Sequence, residues 1–532
     1  MLRRWKHGLL ALAVALVPAW SGGAAAKTPA DQLVIGASLA QVLSLDPGQA
    51  TESGSWLITS NIYDRLVSTD PNDATKLVPQ LAESWEVDGR SIVFHLRDAK
   101  FASGNPVTAE DAAWSLRRML KLNQAAASLW KPYGYDEKNI DDFLEVVDPK
   151  TFRLKLPEGT IAEFVLFALS GNNGAVIDKA EATKHEANND FGNAWLRANS
   201  AGSGPFVLKR WSPNEIILMD RNDAFWGGAP AMKRVVLRHV AESQVQRLLL
   251  ERGDIDVATA LAASDIAAFD GKAGFVTQRV PTGGFYVLAM NTQNQYLANP
   301  DVRRAIAWGL DYAGMQKTIM GPYGRVRQVP VPENYPTALP DPGYTLDVAK
   351  AKELLAKAGF PDGFPLVLKT IAETPRVDLA TAIQASLAQI GIKVSIEQGN
   401  GSQIIASHRA REFDLLMPLT GGGNMADPIG SLQNFTYNPD NSPNGNSGYF
   451  TWRSAWDIPE LTKLTVQARG EEDRAKREAL YTEIQKQFLA SGPAILPMFE
   501  RFSPVVVSAN VENFIGQGFR GVRLDIVKKK AE

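Results

Sequence analysis

The sequence predicts an α/β protein of two lobes, and three observations carry that prediction. A strand at Val235 to Leu237, a helix at Glu242 to Arg252 and a short strand ending at Val257 form one βαβ unit. A strand at Leu366 to Thr370, a helix at Val377 to Ile390 and a strand at Ile392 to Ile396 form another. The two units fall on either side of about residue 280, in a chain of 532 residues whose length suggests two to four domains.

Taken in order, Leu33 to Leu39 is a β-rich run, followed by a segment that ends at the turn residues Asp46, Pro47 and Gly48. Ser91 to Arg97 alternates with period two, as a half-buried strand does. Thr108 caps a helix reaching Lys121, with Glu110 and Asp111 in the first turn where acids suit the helix dipole. Thr151 to Leu156 alternates again and is closed by Pro157, and Gly253 stops the helix of the first βαβ unit. Asp301 is read as the cap of a helix bearing Val302, Ala305, Ile306 and Gly309 on one face; Asp347 caps one bearing Ala351, Leu354, Leu355 and Ala358, stopped by Gly359 and Pro361. Asn438 to Gly448 reads as a long exposed loop, and Glu460 to Ala490 as helical with Leu464, Leu480, Ile484 and Phe488 as its apolar stripe. Ala494 to Phe499 and Val505 to Val507 look like terminal strands.

Composition narrows the function. With 56 Lys+Arg against 58 Asp+Glu there is no basic excess to neutralise phosphates, so no nucleic-acid partner is expected. The short Lys528, Lys529, Lys530 tail is read as solvated. There is no cysteine, hence no disulfide and no thiolate metal site. Arg3, Arg4, Lys6 and His7 precede an apolar run from Gly8 to Val17 that relaxes into Ala24, Ala25 and Ala26, the pattern of a cleaved signal peptide. The run is too short to span a bilayer, and no later stretch is long enough to do so. Cleavage after Ala26 leaves 506 of the 532 residues and removes three basic side chains, so 53 remain against 58 acidic ones. No cysteine follows the run to accept a lipid, so a soluble periplasmic protein is expected.

Catalytic constellations are missing. His95, His185, His239 and His408 lack a second ligand at metal spacing, and the clusters Gly202-Ser-Gly204 and Gly421-Gly-Gly423 match no phosphate-binding motif. Neither a G-x-S-x-G elbow nor an S-x-x-K set occurs. Asp254 and Asp256 lie on one strand face, which more often marks a solvated edge than a hydrolytic pair. An exported α/β chain without catalytic groups reads as a binding protein; a periplasmic hydrolase and a chaperone-like protein are the readings from other classes. No cofactor is expected.

Ordered motifs then resemble a family. Pro79 to Ser115, PQLAESWEVDGRSIVFHLRDAKFASGNPVTAEDAAWS, is similar to the signature of the extracytoplasmic solute-binding proteins of ABC importers, in the dipeptide/oligopeptide/nickel-binding family, family 5. LDP at Leu45, GSGPFVLKRW at Gly202, RNDAFWGGAP at Arg221, GDIDVA at Gly253, NPDVRRAIAWGLD at Asn299, AKELLAKAGFPDG at Ala351 and IGIKV at Ile390 agree in order along the chain. Gly89 and Gly104 with Pro106 read as turns of this scaffold. The resemblance implies a bilobal periplasmic binding protein fold, type II and cluster C, with an extra inserted domain, mixed sheets and hinge strands. Domain I would comprise 27–65, 200–280 and 500–532, domain II 66–199, and domain III 281–499. Strands near Val280 to Thr282 and Met498 to Arg501 would be the hinge, and the ligand would lie between domains I and III.

The same resemblance points to ligand-binding residues. One set is the loop after the first strand: Thr51, Glu52, Ser53 and Gly54. Another is the domain III loop: Leu419, Thr420, Gly421, Gly422, Gly423, Asn424 and Asp427. A third is the hinge: Tyr286, Met498 and Phe499. The second loop departs from the family's Trp-x-x-Asp-x-x-Asp/Glu-Pro pattern: Leu419 replaces the aromatic residue, one residue is added, and Asn424 stands where an Asp would pair with a peptide's ammonium group. A buried ammonium wants a charged partner, which Glu52 or Asp427 could supply, although Asp before Pro is more often a turn residue. Arg376 is near in sequence to the position of a carboxylate-binding Arg in some relatives, but out of register. A short peptide is the leading ligand class; an opine-like amino-acid conjugate or an oligosaccharide is the alternative, and the scarce histidines disfavour nickel. The expected partners are this ligand and an ABC permease of the inner membrane, and a monomer is expected.

Overall fold

The computed structural model describes residues 28–40, 42–50, 53–70, 73, 75–417, 427–445, 448–516 and 522–530, except for the side chains of Ser53 and Ser402. Its framework is a single mixed sheet of 11 strands that runs through both lobes. In the first lobe Gln32–Ala37 pairs in parallel with Arg234–His239 on one side and Val257–Ala258 on the other. The first βαβ unit thus forms as predicted, with the N-terminal strand inserted between its two arms. In the third lobe Pro365–Ile371 pairs in parallel with Lys393–Gly399, which is the second unit.

Two long strands join the lobes. Phe275–Met290 and Ile495–Ser508 run antiparallel from Phe275↔Ser508 to Ala289↔Ile495. The two terminal strands expected from the sequence are therefore one strand of 14 residues. Pro497, which cannot donate to a ladder, and the partly polar stretch Glu500 to Pro504 hide that continuity in the sequence. The ladder is irregular where the hinge was expected: Pro281 faces Phe502 and Phe285 faces Glu500, so Thr282, Gly283 and Gly284 stand opposite Arg501 alone. Gly283 takes φ +70°, which a residue with a Cβ rarely adopts. Thr282 Oγ1 donates to the Arg501 carbonyl at 3.0 Å and accepts from Gly284 N at 3.3 Å, closing the bulge.

The inserted domain carries a separate antiparallel sheet of Ala82–Val87, Ser91–Leu96, Leu144–Asp148 and Thr151–Lys155, covered by the helix Ala109–Lys121. Thr108 and Asp111 form a capping box at that helix. The domain is tied to the first lobe by buried charge. Asp46 and Arg118 are both wholly inaccessible, with Arg118 Nη1 donating to Asp46 Oδ1 at 3.0 Å and Gln124 Nε2 to Asp46 Oδ2 at 3.0 Å. Asp64 accepts from Gln80, Ser203 and Trp226 at 2.7, 3.0 and 2.9 Å, and burial pushes its carboxyl up to about 6.

Four further expectations change. The helix predicted over 460–490 is two, Pro459–Gly470 and Arg474–Ala490, because Asp473 caps the second by accepting from Ala475 N and Lys476 N. The helix near residue 301 is capped by Asn299, with Pro300 at its first position. The lysine tail is not simply solvated: Val511–Glu512 pairs with Lys528–Lys529, and this returns Lys529 to the first lobe, where its buried Nζ lies 2.8 Å from Asp256 Oδ2. Asp256 is correspondingly buried rather than at a wet edge. Among the described residues no helix is long and apolar enough to cross a membrane.

Two outcomes follow from these buried groups. Asp46→Ala leaves Arg118 without its carboxylate and is expected to cost about 3–5 kcal/mol, read by urea unfolding. His408 is buried against Phe413 and Phe450, and burial, helped by Arg453 and Arg409, pushes its pKa down to about 3. Its folded value lies below the ordinary 6.5, so its contribution is present above pH 6.5 and is lost as pH falls toward 3. His408→Gln is expected to flatten that part of the acid limb in thermal melts taken from pH 7 to pH 4.

Candidate ligand-binding cleft

The two joining strands place the predicted hinge residues at the seam between the first and third lobes. Tyr286 pairs with Phe499 across the ladder. Met498 and Phe499 are fully buried in the third-lobe core, Phe499 against Tyr312 with ring centroids 6.3 Å apart. Alternation and the irregularity next to Tyr286 turn both side chains inward, so neither offers a surface at the seam. Tyr286 belongs to the same core cluster but keeps 9% of its surface exposed. Burial holds its phenol above the ordinary range, while the positive charges of Arg501 and Arg376 pull it down and Glu373 opposes them.

Arg376 is the first residue of the helix Arg376–Ala388, which follows the strand Pro365–Ile371. Only 5% of it is exposed, and burial disfavours its charged form. Its Nη1 lies 2.8 Å from Glu373 Oε1 but without hydrogen-bond geometry. The seam therefore holds two guanidinium groups, one phenol and one half-exposed carboxylate, with one arginine short of hydrogen-bond acceptors. Also from the third lobe, Tyr323 donates to the Leu261 carbonyl of the first lobe at 3.3 Å, and the charges of Asp378 and Asp265 reach its phenol.

The remaining predicted residues are distributed differently. Thr51, Glu52, Leu419, Thr420, Gly421, Gly422, Gly423 and Asn424 lie outside the described residues. Ser53 and Gly54 begin the helix Ser53–Ile62, and a Cβ on Gly54 would sit 3.3 Å from Val42 Cγ2. Asp427 caps the helix Pro428–Thr436: its Oδ1 accepts from Ile429 N at 2.9 Å and from Tyr481 Oη at 2.7 Å. Burial raises the Asp427 carboxyl. It borders a cavity of about 260 Å³ between the third lobe, through Arg477 and Tyr481, and the inserted domain, through Lys76, Glu163 and Phe167. Asp427 is thus placed away from the Tyr286 group, in the role of a helix cap.

Tyr323 was not singled out from the sequence, Arg501 entered only as the end of an expected hinge strand, and Arg376 was noted without a role. Their only sequence signal is type: a long cation at the start of a helix, another in a strand and a tyrosine after a helix. Their convergence depends on the sheet order, which brings residues about 125 positions apart to one seam.

Comparison with known proteins agrees with this architecture. Residues 76–443 match the model of the bacterial extracellular solute-binding proteins, family 5 middle. The probable D,D-dipeptide-binding periplasmic protein DdpA of Escherichia coli K12 is 30% identical over 500 residues, covering 92% of each chain. The solved DppA of Helicobacter pylori, in complex with the peptide STSA, superposes with a TM-score of 0.77 at 25% identity, over 94% of this chain and 98% of that one. AgaA from A. tumefaciens R10, in complex with agropinic acid, gives 0.75 at 25% identity, over 94% and 99%. This chain belongs to the family 5 bacterial extracellular solute-binding proteins.

Proposed function

We propose that the protein is the periplasmic solute-binding component of an ABC importer and that it captures a short peptide with a free carboxylate between its first and third lobes. The observation that carries this reading is Arg376, buried with Glu373 as an off-geometry partner and electrostatically coupled to Tyr286 on one of the two long strands that join the lobes. A ligand carboxylate would give Arg376 the bidentate acceptor that Glu373 does not. A ligand that touches both lobes only when they meet stabilises that arrangement, which is the form the membrane permease would read. ATP hydrolysis would belong to a separate subunit, and the chain itself would be no enzyme. The lobes follow the boundaries 27–65, 200–280 and 500–532 for domain I, 66–199 for domain II and 281–499 for domain III; the working form is a monomer released by cleavage near Ala26. Thr51 to Gly54 and Leu419 to Asn424 would line the rest of the cleft.

An opine-like conjugate is the second reading, favoured by the likeness to a structure bound to agropinic acid. Such a ligand also brings a carboxylate to Arg376, whereas a neutral oligosaccharide does not. Native mass spectrometry of protein freshly released from the periplasm is expected to show a ladder of peptide masses. A single opine mass would turn the assignment to the second reading, and a neutral sugar would overturn both. Arg376→Gln is expected to weaken binding of the retained ligand about 10- to 100-fold in titration calorimetry, the worth of a hydrogen-bonded charge.

A further inference from the structure

The third lobe meets more than the first lobe. Two phenylalanines of the inserted domain's helix Ala162–Leu169, Phe164 and Phe167, are buried in the apolar cluster that contains Phe435, Ile484 and Phe488 of the third lobe. At the edge of this contact, Glu163 in the first turn of that helix faces Arg477 of the helix Arg474–Ala490. Arg477 Nη2 donates to Glu163 Oε2 at 2.7 Å, and the guanidinium lies 5.5 Å from the Phe164 ring centroid. Arg477 is held ready for this pairing by its own lobe: Nη1 donates to the carbonyls of Glu471 and Glu472 at 2.9 and 3.3 Å. Close by, Arg469 Nη2 donates to the Pro132 carbonyl of the inserted domain.

We infer that Glu163 and Arg477 set the affinity of the ligand cleft without touching the ligand, by latching the third lobe onto the inserted domain. The inserted domain is fixed to the first lobe through Asp46–Arg118 and the Gln80–Asp64 bond, so moving the third lobe away from the first must part Glu163 from Arg477. A surface ion pair would matter little, but Arg477 is only 3% exposed in this arrangement, so its bond to Glu163 is sheltered from water on the arginine side and is worth more than an exposed pair. Apparent affinity scales with the fraction of molecules already in the binding arrangement, so a latch remote from the ligand acts on it directly.

The inference rests on the reading that the lobes move about the two strands, and its test needs no ligand. The chain contains no cysteine, so spin labels at Glu158→Cys on the inserted domain and Lys486→Cys on the third lobe report one distance by pulsed electron resonance. A second pair, Glu158→Cys with Lys209→Cys, reports the inserted domain against the first lobe. In ligand-stripped protein, Glu163→Gln is expected to shift the ratio of long to short distances in the first pair about tenfold. The second pair should stay unchanged, and Glu163→Asp should recover part of the shift. Glu163 is half-exposed, so its replacement spares the core, and Glu163→Arg should enlarge the effect. Identical first-pair distributions in wild type and both Gln and Arg variants would overturn the latch. Lengthening of the second pair would also overturn it, since the pair would then anchor the inserted domain. A failed search for the ligand would leave either result intact.

Discussion

Everything in this molecule hangs on one backbone ladder. Phe275–Met290 and Ile495–Ser508 are at once the seam of the large sheet and the joint between its lobes. A ladder strong enough to hold two lobes in register would be stiff. The bulge at Thr282 to Gly284 relieves that stiffness locally, exchanging ladder hydrogen bonds for the Thr282 hydroxyl bridge. Beside it Glu500, fully buried, accepts from Arg325 Nε and Nη2 at 3.0 and 2.8 Å, which fixes the third-lobe end of the joint. Rigid ends with an irregular middle localise bending at a few residues, which is what a hinge needs.

Buried charge is spent where lobes meet. Asp46–Arg118 and the Asp64 acceptors bind the inserted domain to the first lobe, and Lys529–Asp256 pins the C-terminal strand pair there. Such pairs add little net stability over apolar packing, but they are severe against any arrangement that leaves one member unpaired. They therefore specify which surfaces stay together. The seam is the opposite case: Arg376 is buried with a single off-geometry carboxylate for company. The contrast separates fixed contacts from a contact awaiting its partner.

Much of the fold was legible because it is local. Both βαβ units, the Thr108 and Asp347 caps and the Gly253 stop depend on residues within one or two turns of one another. What sequence order concealed is long-range. Pro497 and the polar centre of the last long strand split it into two apparent strands, and Asp473 was hidden inside a run that reads as one helix. The lysine tail reads as solvent-loving on composition; only the Val511–Lys529 pairing reveals a carboxylate waiting for it. The site was less legible than the fold. Tyr286, Met498 and Phe499 were all reached through family resemblance, and all three lie in the third-lobe core, Met498 and Phe499 without any exposed surface. Arg376 and Arg501 belong together only after the sheet has been assembled.

The order of the sheet also sets the order of folding. The first lobe's core joins Leu33 and Ile35 to Val505, Val507, Leu524 and Val527, and the strand Val257–Ala258 takes Val506 and Val507 as its neighbours. A ribosome must deliver almost the whole chain before that lobe can close, and contacts so distant in sequence form slowly. The newly made polypeptide thus spends its synthesis without a finished first lobe, whose core its last residues complete and its first residues begin.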